Sequence, residues 1–258
     1  MNNDDAHQHS DRQPSLTAGT VSRAYSIRPL QVTLFAVIGI ILALLGLRVS
    51  LYPAVLSAPH GAGSGGMSIS ALAILTVLYL VAGVGIFRVL STPNRRMALW
   101  RSTWWGAIIG GGVLGAFLSD TLLGASSAIS AWAWYAVMLA APLGWAMVSF
   151  NTTRSSGAWR YGIVAAIWSG MVSVLIAAVG ELASTLLILP RLVQNELGNP
   201  DYLAWHQPDV QGYAIASVIS LNAMGLLLVP VAASVLASIG SWLARSTASQ
   251  PKTIAHEH

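Results

Sequence analysis

Six long apolar segments, separated by short polar stretches, dominate the chain between residues 30 and 243. Each segment is about 20 residues or longer and is apolar on nearly every face of a helix, whereas buried helices of soluble proteins keep a polar face. Helices of this length and composition can cross the hydrocarbon core of a bilayer. Polar and apolar residues do not alternate over segments of about 10 residues, as they do in membrane β-barrels. The pattern predicts an all-α polytopic membrane bundle with six transmembrane helices, over residues 30–51, 69–90, 104–123, 129–150, 161–189 and 213–243.

The two ends of the chain are polar and are predicted to lie in the cytoplasm. Residues 1–29 are predicted to form a disordered tail, and residues 244–258 a second, shorter tail. The first 13 residues contain neither a basic start nor an early apolar run, so we do not expect a cleavable signal peptide. Within the bundle, Pro190 is expected to end the fifth span, because proline interrupts helical hydrogen bonding.

Orientation follows from the basic residues of the loops and tails. With the N-terminus inside, eleven of the 13 basic residues fall on the cytoplasmic side, and only Arg48 and Arg191 fall outside. Such an excess of arginine and lysine is the signature of cytoplasmic loops. Tryptophans cluster near both predicted membrane boundaries, where the indole ring is buried and its N–H reaches water. The sequence therefore predicts an N-in/C-in topology.

Composition excludes several classes of protein. Only 9% of the residues are charged, against about 25% in soluble domains. The net charge of +4 lies mostly in short loops, so it indicates topology and does not suggest nucleic-acid binding. The chain has no cysteine, its one lysine lies in the C-terminal tail, and no histidine lies within a span. We therefore expect no cofactor or metal, because the spans contain no lysine to attach retinal and no histidine to ligate haem. Thiol chemistry and rhomboid-type proteolysis are excluded for the same reason, since the residues that they require are absent.

Glu181 is the residue most suggestive of chemistry, because it lies inside the fifth span, about nine residues before Pro190. A carboxylate at membrane depth is costly unless it is protonated, paired or in contact with water. Small and polar residues recur at every fourth position of this span, at Ser169, Ser173, Ala177 and Glu181. Residues at that spacing share one helix face, which we expect to point into the bundle.

Asn222 lies about nine residues into the sixth span from the same side, so it should be level with Glu181. We predict a hydrogen bond between these two side chains, with Ser217 or Ser220 nearby. Arg48, in the outer part of the first span, is expected to reach either Glu181 or Asp120. This polar site has two interpretations: a proton- or cation-binding carboxylate in a cavity that faces outside, or a structural polar contact.

Glycines of the third span form overlapping GxxxG patterns. Glycine lets helix backbones approach closely in lipid, where packing drives helix association. We expect Gly106, Gly110, Gly111 and Gly115 to pack against other helices of the protein. The alternatives are a homodimer face and a flexible gate.

Three classes of function remain open. The first is a non-enzymatic membrane component with a structural, regulatory or partner-binding role. The second is a small secondary transporter, favoured by Glu181, by the glycines and by a weak similarity between the third and fifth spans. The third, a lipid-acting enzyme, lacks any recognisable nucleophile–base pair or metal set. We expect a multi-pass protein of the plasma membrane, specifically the bacterial inner membrane. Its expected partners are the lipid bilayer and either further copies of itself or another membrane protein.

Overall fold

The computed structural model describes residues 26–56, 59–60, 63–124, 126–198, 202–203 and 209–248. Within these ranges, six helices are long and apolar enough to cross a membrane, so the predicted all-α architecture is confirmed. The helices are α1 (Arg28–Leu51), α2 (Gly65–Leu90), α3 (Pro93–Leu123), α4 (Ala128–Ser156), α5 (Trp159–Leu197) and α6 (Val210–Ala248). The connection from α1 to α2 contains a 3-10 helix (Pro53–Leu56) and a short antiparallel pair, β1 (Pro59–His60) and β2 (Gly63–Ser64). Most of the two predicted tails lies outside the described residues.

Several helices extend beyond the apolar spans from which they were predicted. α3 begins at Pro93, well before the predicted boundary at residue 104, and α4 continues to Ser156. Thr92 precedes α3 with an extended backbone, and proline then occupies the first turn, where its missing N–H costs nothing. Hydropathy marks where the chain is apolar, and helical hydrogen bonding continues past that point into residues that tolerate a helix well.

The prediction that Pro190 ends the fifth span is wrong, because α5 continues through Pro190 to Leu197. Proline removes one backbone hydrogen bond and crowds the preceding turn, which kinks a helix without necessarily ending it. The segment after Pro190 also gains packing contacts. Leu192 is buried in a cluster with Phe117 of α3 and Val218 of α6, and this burial offsets the lost hydrogen bond.

α5 forms the centre of the bundle. Of its most apolar 18-residue stretch, 72% is buried, against 22–33% in the other five helices. α5 contacts every other helix, and the others surround it in the order α1, α2, α6, α4, α3. The ring is incomplete between α1 and α3, where a cleft of about 240 Å³ is lined by side chains such as Leu34, Ala107 and Val172.

Large apolar side chains cover the outside of this ring. Exposed examples include Phe35 on α1, Val81 on α2, Ile108 on α3, Leu143 on α4 and Val231 on α6. An apolar surface that surrounds a bundle in this way needs lipid around it, since soluble proteins rarely expose patches of such extent. The chain is thus a multi-pass membrane protein.

Only two of the four glycines singled out on α3 pack against another helix. A methyl group on Gly106 would lie 2.5 Å from the carbonyl oxygen of Ser169, and one on Gly110 would meet the carbonyl oxygen of Ser173. By contrast, nothing lies within 4 Å of such a group on Gly111 or Gly115, and both glycines are exposed. The interhelical packing predicted within the protein is therefore found for Gly106 and Gly110 and not for Gly111 and Gly115, which lie on the opposite, lipid-facing side.

Candidate functional site

The predicted hydrogen bond between Glu181 and Asn222 is present. Asn222 Nδ2 donates to Glu181 Oε2 at 2.9 Å and also to the Val218 carbonyl oxygen, one turn earlier on α6, at 2.9 Å. The second bond stays within α6 and orients the amide, so that the nitrogen faces α5. Glu181 and Asn222 are only 4% and 3% exposed. A carboxylate of α5 is thereby joined to an amide of α6 inside the bundle.

Arg48 reaches the same turn of α5 from α1 and is fully buried, with 0% exposure. Its Nη2 donates to the Leu182 carbonyl oxygen at 3.0 Å and to Thr185 Oγ1. Thr185 Oγ1 in turn donates to the Leu182 carbonyl oxygen at 2.8 Å. The guanidinium group, the threonine hydroxyl and the helix carbonyl form a closed triangle that joins α1 to α5.

The ionic contacts predicted for Arg48 are not observed. Its Nη2 binds Leu182 and Thr185, while its buried Nε and Nη1 have no hydrogen-bond partner among the described residues, so it is bonded to neither Glu181 nor Asp120. Asp120 instead accepts a hydrogen bond of 2.9 Å from Ser130, at the start of α4. The guanidinium group of Arg48 and the carboxylate of Glu181 thus lie beside the same stretch of α5. Each is bonded to other polar groups, and the two are not bonded to each other.

The serines predicted to belong to this site lie outside its hydrogen-bond network. Ser173 is buried two turns before Glu181, and its hydroxyl donates to the Gly170 carbonyl oxygen of its own helix at 2.8 Å. Ser217 and Ser220 are half-buried on α6, and the structure gives neither a hydrogen bond to Glu181. We therefore define the polar cluster as Arg48, Glu181, Thr185 and Asn222.

The chemistry open to the polar cluster is limited by its burial. All four side chains are at most 4% exposed, so in this conformation water does not reach them. Hard cations prefer several oxygen ligands, and here the Asn222 amide presents its nitrogen, not its oxygen, to Glu181. Within the described residues, no group of three or more His, Cys, Asp and Glu side chains could hold a metal ion. The arrangement favours joining helices over binding a small ligand.

Thr185→Val is expected to destabilise the protein by about 1–3 kcal/mol, because it removes the hydroxyl that accepts from Arg48 while keeping the side chain's volume. Ser184→Ala is the matched control. The Ser184 hydroxyl makes the same type of bond to its own helix, to the Glu181 carbonyl oxygen at 3.1 Å, and the described residues of other helices give it no hydrogen bond. Thermal unfolding in detergent measures both variants. If both variants lost the same small amount of stability, Thr185 would not be holding Arg48.

Further interhelical hydrogen bonds were not predicted from the sequence. Tyr79 Oη donates to the Leu226 carbonyl oxygen at 2.7 Å and joins α2 to α6. Ser149 of α4 binds Ser241 of α6 at 2.7 Å, and its hydroxyl also reaches the Ala237 carbonyl oxygen at 2.7 Å. Isolated serine and tyrosine residues in apolar spans carry no signal of their partner, so only the packing of the helices could reveal these pairs.

Trp168 of α5 donates from its indole Nε1 to Thr103 Oγ1 of α3 at 2.8 Å. Together with the polar cluster, this bond attaches the central helix to α1, α3 and α6.

Comparison of the chain with protein families, with curated proteins and with solved structures finds no match, so the site is interpreted from its geometry alone.

Proposed function

We propose that this protein is a non-enzymatic component of the plasma membrane, with a structural, regulatory or partner-binding role and with both termini in the cytoplasm. The orientation is supported by the eleven basic residues on one side against two on the other. Four exposed tryptophans near the ends of the predicted apolar spans, Trp104, Trp132, Trp159 and Trp242, fit the interfacial belts of such a protein.

The observation that carries the proposal is the burial of the polar cluster. Polar groups at membrane depth that serve transport line a water-filled cavity or an ion pathway. Here Glu181 and Arg48 are buried and are bonded to neighbouring helices through Asn222, Leu182 and Thr185. Polar groups that are hydrogen-bonded between helices in this way favour a bundle with one stable packing. Such a bundle would act through its outer surface, which faces lipid or a partner.

A small secondary transporter is the second candidate. Its specific support is the presence, at one stretch of α5, of a buried carboxylate and of a buried arginine whose Nε and Nη1 have no hydrogen-bond partner among the described residues. A transport protein would enclose such groups in one state and expose them to water in others, with Glu181 as the proton- or cation-binding carboxylate.

Cysteine labelling separates the two candidates, and the natural chain contains no cysteine to interfere. Single cysteines are introduced at Thr185 and Asn222 in the polar cluster, and at exposed Ser126 and Ser155 as surface controls. In sealed membrane vesicles of each orientation, a membrane-impermeant maleimide is expected to label Ser126→Cys from outside and Ser155→Cys from inside. Thr185→Cys and Asn222→Cys are expected to remain unlabelled from either side.

Labelling of either buried cysteine from one side would contradict the structural proposal and support a cavity that opens during transport. Reversed labelling of Ser126→Cys and Ser155→Cys would overturn the proposed orientation alone. A misfolded variant would label at the same rate from both sides of the vesicle and in detergent. Measuring the labelling rate in detergent as well therefore distinguishes a real opening from misfolding.

A further inference from the structure

A basic pocket of about 390 Å³ lies where α1 begins and α2 ends. Its polar walls are Arg28 and Gln31 of α1, with Arg88 and Ser91 from the end of α2. Phe87 forms part of its apolar base and is held in place by an edge-to-face contact with Trp168, at 4.9 Å between ring centroids. None of its described lining residues is acidic.

The two arginines of the basic pocket differ from their neighbours in having no described side-chain partner. Other arginines at this end are engaged: Arg95 lies over the Tyr161 ring at 3.6 Å, and Arg245 lies over the Trp159 ring at 5.6 Å. Arg28 and Arg88 are exposed, and the structure gives neither guanidinium group a hydrogen bond or ring contact with the described residues. Their charges are available to a ligand.

The end of α2 would normally repel an anion, because its last carbonyl groups carry partial negative charge. In this structure donors reach two carbonyl oxygens of the last turn and the carbonyl oxygen of Ser91, directly after the helix. Ser91 Oγ donates to the Arg88 carbonyl at 3.0 Å, Arg95 Nη1 to the Val89 carbonyl at 3.3 Å, and Arg96 Nε to the Ser91 carbonyl at 2.9 Å. The charge that a ligand meets in the pocket is therefore set mainly by Arg28 and Arg88.

We propose that the basic pocket binds the phosphate headgroup of an anionic phospholipid. Basic pockets between membrane helices on the cytoplasmic side are suited to such headgroups. Beside the pocket, Val32 and Phe35 of α1 and Val81 of α2 are exposed and would contact the acyl chains. Placing the lipid in the cytoplasmic leaflet rests on the proposed orientation, whereas the pocket and its charges do not.

Lipid binding to the full-length protein in a neutral detergent tests this proposal. Phosphatidylglycerol and phosphatidylcholine are titrated against the wild type, against Arg28→Gln/Arg88→Gln and against Arg154→Gln/Arg245→Gln. The last pair removes the same charge from exposed arginines that do not line the pocket. We expect phosphatidylglycerol to bind Arg28→Gln/Arg88→Gln about 30-fold more weakly than the wild type, since each arginine near anionic lipid contributes roughly a fivefold attraction. The control pair should stay within about threefold of the wild type.

Three results would overturn the proposal: equal wild-type affinity for the two lipids, equal losses in both double variants, or displacement of phosphatidylglycerol by millimolar inorganic phosphate. The third would mark a site for small anions and not for a lipid. Arg28→Lys/Arg88→Lys keeps both charges and is expected to retain most of the affinity, which separates loss of charge from loss of fold. None of these outcomes affects the cysteine labelling, so the lipid site and the proposed function can fail independently.

Discussion

Gly110→Ala is expected to lower the free energy of unfolding by about 3 kcal/mol, at the upper end of the cost of overpacking. The added methyl group would meet the Ser173 carbonyl oxygen and lie 3.0 Å from Ile176 Cβ. Neither atom can rotate away, because one belongs to the backbone and the other is fixed to it. α3 must therefore move away from the central helix. For a chain of this size, thermal unfolding in detergent should show a decrease of roughly 6–12 °C in Tm.

Gly111→Ala and Gly115→Ala are the controls for this prediction, since they make the same change one residue and five residues further along α3. Open space surrounds both positions, so we expect a change of at most about 1 kcal/mol, in the stabilising direction. A loss at Gly111 equal to that at Gly110 would contradict the observed helix faces. A loss at Gly111 and Gly115 that depends on protein concentration would instead reveal a contact between two copies of the protein.

Asn222→Leu is expected to cost about 3–5 kcal/mol, because it removes the amide that donates to a carboxylate buried in the bundle. Glu181→Gln keeps the shape of the side chain and an acceptor oxygen, so its cost should be smaller, at about 1 kcal/mol. Glu181→Leu/Asn222→Leu replaces both partners with apolar groups. The double variant should therefore be more stable than Asn222→Leu alone.

A double-mutant cycle built from Glu181→Leu, Asn222→Leu and the double variant measures the coupling directly. We expect a coupling energy of about 1–3 kcal/mol between the two positions. Strict additivity of the two single effects would show that the hydrogen bond does not stabilise the fold. A variant that binds its lipid or partner normally while losing this stability would support the structural role of the polar cluster.

The sequence predicted the helices of the fold well because the physical rule is simple. Lipid offers no hydrogen bonds, so a span of about 20 apolar residues must form a helix wherever it occurs. The contact between Glu181 and Asn222 was predictable for a similar reason. Consecutive antiparallel helices bring positions at similar distances from their connection to a similar depth. Glu181 lies 16 residues before the end of α5, and Asn222 lies 12 residues after the start of α6.

Other features depend on which helices are neighbours, and a single sequence does not encode that in a readable form. Arg48 could be assigned a depth but not a partner, so its bond to Thr185 was missed. The GxxxG pattern of α3 offers several overlapping registers, and only the arrangement of helices shows that Gly110 faces α5 while Gly111 faces lipid. The central position of α5 was likewise not apparent from its composition.

The burial of Arg48 has a consequence for how the protein is made. Its hydrogen-bond acceptors on α5, Leu182 and Thr185, follow it by 134 and 137 residues. At 5–20 residues per second, a ribosome needs roughly 7–27 s to reach them. During that interval α1 is already long enough to span the membrane, but its arginine has no site to occupy and must keep its charge near the interface. The last step of α1 docking therefore waits for the fifth helix, although α1 can pack against α2 before α5 is made.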